Sequence, residues 1–210
     1  RFEGSYNPDS FDWWKFHGSE CCLVLVGHLL KEWRLTALKA VLRERFVQKR
    51  WLTNSRETTW DFRYLWEHLE TLKGWNAALK QKGANGWISP QGQILSERHL
   101  RNTDPLLDWD SFRDADTFLA LYSRSSAFDQ NYKKWVDVTH IYAGPATVFL
   151  TKAISGEKAV ELSIIFEKGD IESLKIFLSE TWKKLDAAWN EHYWGDRTPS
   201  AVISAIGSQP

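Results

Sequence analysis

The chain has 210 residues, 43% hydrophobic and 26% charged, with Lys+Arg and Asp+Glu equal at 27 each. That mix belongs to a soluble globular protein of one large or two small domains, and a net charge of zero supplies no long-range pull toward nucleic acid or an anionic membrane. The longest apolar run, Cys21 to Gly27, falls far short of the roughly 20 residues that a membrane span needs, and no basic start with a small-residue cleavage site precedes it.

Residues 1–8 read as a loose entry, after which Asp9 or Ser10 can cap a short helix through Trp13, Trp14 and Phe16 that Gly18 is expected to end. The run Glu20 to His28 fits a buried strand or the start of a long helix. The absence of Gly and Pro from Leu29 through Trp51 favours the helix. Within it Leu35, Leu38, Leu42 and Phe46 fall on one face and Trp33, Ala37, Ala40, Val47 and Trp51 roughly opposite, so the sequence predicts a helix covered on two sides. Between the faces runs a basic strip of Lys39, Arg43 and Arg50. Thr53-Asn54-Ser55 then breaks the pattern and can cap a helix carrying Trp60, Tyr64, Leu65, Leu69 and Leu72 as far as Gly74.

Gly83-Ala84-Asn85-Gly86 is a turn cluster and residues 87–95 have the form of a small hairpin, which places a lobe boundary, if there are two lobes, near 83–104. Asp110 can cap a helix using Phe112, Phe118, Leu119 and Tyr122, and another is expected from Phe128 to about Val138. Past Gly144-Pro145 the run Ala146–Lys152 is β-branched and aromatic. After a turn at 154–157, Val160, Leu162, Ile164 and Phe166 alternate with Ala159, Glu161, Ser163 and Ile165. That period of two predicts an antiparallel β-hairpin over about 146–166. Beyond Gly169-Asp170 the period becomes helical, with Ile171, Leu174, Leu178, Trp182, Leu185, Trp189 and Tyr193 forming a stripe over about 171–193 able to cover the hairpin. The expected fold is therefore α+β and predominantly helical, a single globular domain over 1–195 with a flexible tail at 196–210.

Cys21 and Cys22 are adjacent, where a disulfide between them would close almost no loop, and no Asn-x-Ser/Thr sequon occurs. Both features point to an intracellular, cytoplasmic setting. The chain opens at Arg1 and contains no Met, and is read as a trimmed piece of something longer. Most of its 13 Trp stand at helical spacing among Leu and Phe, where a core role is the favoured reading.

The six His are scattered, with no His-x3-His or His-Glu-x-x-His pair, so no metal site is expected. No Gly-x-Ser-x-Gly elbow and no phosphate-cradling Gly loop occurs, and no cofactor is implied. One spacing stands out: Arg63-Tyr64-Leu65-Trp66-Glu67-His68 resembles the Arg-x4-6-His pattern of HEPN-type helical ribonucleases. The resemblance implies Arg63 and His68 acting on an RNA phosphate and 2′-hydroxyl across a dimer. Tyr64 departs from it, standing where that family prefers a small polar residue, and a match this short is expected about once by chance.

Lys39, Arg43 and Arg50 can hold an RNA backbone, or can pair with the acidic segment Asp104, Asp108, Asp110, Asp114 and Asp116. The two charge blocks can also meet a protein partner. The reading placed first is a non-catalytic protein-binding module. An RNA-directed nuclease using Arg63 and His68 comes second, and small-molecule binding in an aromatic-lined pocket third.

Overall fold

The computed structural model describes residues 13–48, 58–66, 109–125 and 157–193. The first helix, α1 (Trp13–Lys31), continues straight through Gly18 rather than ending there. A Cβ at Gly18 would lie 2.7 Å from Leu65 Cδ2, so the glycine lets the short 3-10 helix Phe62–Trp66 approach the helix backbone closely. Leu23, Val26 and Leu30 recur on the buried face of α1.

The long helix expected through Trp51 breaks at Trp33, which adopts the left-handed conformation at φ 54°. Trp33 N–H donates to Leu30 C=O (3.0 Å) and Arg34 N–H to Leu29 C=O (2.7 Å), the paired bonds of a Schellman cap that satisfy the last carbonyls of α1. Helix α2 (Leu35–Arg43) follows, with Leu35, Leu38 and Leu42 buried as their spacing predicts. Ala37 and Ala40 are exposed, so α2 is covered on one side and not on two. The backbone turns extended at Glu44, and β1 (Phe46–Gln48) pairs antiparallel with β2 (Thr58–Trp60) in the register Phe46 to Trp60. Strand thus stands where the sequence predicted helix at both places.

Helix α3 (Trp109–Tyr122) matches the element expected after Asp110. Phe112, Ala115, Phe118, Leu119, Leu121 and Tyr122 are buried, and so are Asp114, Asp116 and Thr117 between them, so α3 is the central helix of the fold, packed on α1 and on the C-terminal helix.

The hairpin over 146–166 is corrected by the structure. Its second strand is instead helix α4 (Glu157–Ile165). Leu162 and Phe166 satisfy a period of two and a period of 3.6 equally well. Their neighbours decide: Ala159 is buried, completing the i, i+3, i+7 stripe, whereas Val160 and Ile164 face outward. The proposed first strand, 146–152, lies outside the described residues, as do the lobe boundary at 83–104, the helix at 128–138 and the tail at 196–210. Among the described residues the fold is helical, with the three-residue ladder β1–β2 its one piece of sheet.

Helix α4 ends in a second Schellman cap, Glu167 N–H to Ile164 C=O (3.3 Å) and Lys168 N–H to Ser163 C=O (2.8 Å), with Glu167 left-handed at φ 57°. Asp170 then caps α5 (Ile171–Tyr193), its Oδ1 accepting from Ser173 N–H at 2.7 Å. This terminal helix runs where its stripe predicts, and Leu174 and Leu178 are buried. Phe166 joins the layers. Its ring meets Phe118 (5.4 Å) and Tyr122 (5.7 Å) of α3 edge to face, and it lies 5.6 Å from Phe177 of α5.

Candidate functional site

The α1–α2 corner grips α4 by three polar contacts. Trp33 Nε1 donates to Glu161 Oε2 at 2.9 Å, Lys39 Nζ donates to Ile164 C=O at 3.0 Å, and the Arg43 guanidinium pairs with the Glu167 carboxylate. Lys39 and Arg43 stand four residues apart on α2 and so share a face, and that face meets the C-terminal end of α4, where free carbonyls favour cations. Lys158 adds to the corner, its Nζ lying 4.9 Å from the Trp33 ring centroid. Partial burial, and then repulsion from Arg43, hold the Lys39 pKa below the ordinary lysine value.

Two of the three basic-strip residues are thus placed together, and their partners are the end of α4 and Glu167. Arg50 lies outside the described residues. Of the acidic segment, Asp114 and Asp116 are buried in α3, while Asp104 and Asp108 are not described. Trp33 is half-buried and packs against the core.

Arg63 is 5% exposed, and its Nε and Nη2 both donate at 2.9 Å to the two oxygens of Asp61, the fork geometry of a bidentate pair. The Arg63 backbone N–H also donates to Asp61 Oδ1, and Arg45 Nη1 reaches Asp61 Oδ2 at 2.8 Å from the other side. Asp61, held by Arg63 on one side and Arg45 on the other, ties the 3-10 helix to the segment after α2, and the Arg63 fork is turned to that carboxylate. His68 lies outside the described residues. Beside this group, burial pushes the Tyr122 phenol above its ordinary value against the opposing pull of Arg43 and Arg45.

His17 and His28 are exposed on α1, and His17 Nδ1 lies 3.2 Å from Glu20 Oε2. Among the described residues no group of three or more His, Cys, Asp or Glu could hold a metal ion. Both cysteines are free. Cys21 is exposed, whereas burial, with the neighbouring Cys21, pushes the Cys22 thiol up to about 12. The described aromatic rings Phe62, Phe118, Tyr122, Phe166 and Phe177 contact one another.

What the sequence reading missed is the outer face of α4. Val160 and Ile164, one helical turn apart, are 48% and 60% exposed. A period of two would put both on the inner face of a strand. A helical projection of 158–166 sets both opposite Ala159, Leu162 and Phe166, and is the signal that finds them.

No family model, curated protein or solved structure matches this chain. Among the described residues no helix is long and apolar enough to cross a membrane.

Proposed function

We propose that the chain is a non-catalytic protein-binding module and that a partner docks on the outer face of α4. The observation supporting this is the Val160–Ile164 pair, two large aliphatic side chains on adjacent turns left facing solvent on an otherwise well-anchored helix. A single exposed aliphatic residue is ordinary. Two one turn apart, with the Lys39 ammonium held at the carbonyl of Ile164, make the apolar centre and the start of a polar rim of a small interface. The three tethers to the α1–α2 corner hold that face in place beforehand, so docking orders little that was free. A protein suits it better than RNA, because an apolar centre offers nothing to a phosphate backbone and Arg63 is buried against Asp61. The free thiols of Cys21 and Cys22 support a reducing, intracellular setting.

The test is a comparison of baits. The unaltered chain and the Val160→Asp/Ile164→Asp variant, checked for folding by circular dichroism, are used to capture proteins from an extract of the source cells. Each captured protein is then purified and its direct binding measured. Partner binding is expected to be lost in the double variant and kept in Leu25→Asp, which alters an exposed leucine on α1. Equal binding by all three baits would overturn the reading.

A further inference from the structure

We draw no further inference here: the strongest candidate, the outward face of α4 formed by Val160 and Ile164 beside Lys39 and Arg43 of α2, belongs to the surface already described, and nothing in the structure shows what covers it.

Discussion

Trp33 donates its indole N–H to Glu161 at 2.9 Å, linking residues 128 positions apart at the point where α1 ends and α2 begins. The same tryptophan holds the left-handed backbone conformation that turns the chain, at φ 54°. A bulky residue is disfavoured in that conformation by about 1–2 kcal/mol, so the contacts of its side chain must offset the strain. Its ring packs against the core, carries Lys158 over one face, and anchors α4 through Glu161.

Trp33→Phe keeps an aromatic ring but removes the donor and the second ring of the indole, so a double-mutant cycle and not the single change isolates the bond. Because Glu161 is partly exposed, the part of the loss due to the bond should be about 1 kcal/mol, read by urea denaturation. In a double-mutant cycle with Glu161→Ala the coupling should be of similar size, and zero coupling would show that the bond contributes nothing.

Helix and strand make opposite predictions across 158–166. On α4, Leu162 and Phe166 are buried and Ile164 is not, so Leu162→Ala should cost about 3 kcal/mol and Phe166→Ala about 4, with Ile164→Ala within about 0.5. A strand would put all three on one face, and comparable losses at all three would restore it.

Gly18→Ala sets two effects against each other. Alanine favours a helix interior by about 1 kcal/mol over glycine, but the new Cβ would meet Leu65 Cδ2 at 2.7 Å, a crowding worth about 1–3 kcal/mol. The substitution should be neutral to destabilising in the native background. With Leu65→Ala also present its sign should reverse to a gain of about 1 kcal/mol, and a loss in both backgrounds would point to a different obstacle.

The Asp170 carboxylate is held below its ordinary value of 3.8, first by the Ser173 backbone N–H and then by the Ser173 hydroxyl. A carboxyl group whose folded pKa is depressed stabilises the fold above its unfolded value, and that contribution disappears as pH falls through the folded one. Stability should therefore decline in the acid limb below about pH 4. Asp170→Asn keeps a capping acceptor and should flatten that part of the slope in thermal melts taken from pH 5 downward. An unchanged slope would show that the cap does not titrate with folding.

The sequence by itself determined the helices α3 and α5 and part of their buried faces. In α3 the spacing of Leu119 and Tyr122, and in α5 that of Ile171 and Leu174, is three, which an alternating strand cannot place on one face and a helix can. It also gave the Leu35, Leu38 and Leu42 face of α2 and the joint placement of Lys39 and Arg43, because spacing of three and four fixes a helical face whatever lies beyond it. The candidate docking pair was hidden because Leu162 and Phe166 fit two periods at once. Only the rings of Phe118, Tyr122 and Phe177, brought from distant parts of the chain, select the helix that turns Val160 and Ile164 outward. Tertiary contacts likewise decided where α1 stops. Among the described residues other than glycine, Trp33 and Glu167 are the left-handed ones, and each has a partner more than a hundred residues away in sequence: Glu161 for the first, Arg43 for the second. Local propensity is a matter of a few tenths to about one kcal/mol per residue, and long-range packing of a single ring or aliphatic side chain exceeds it.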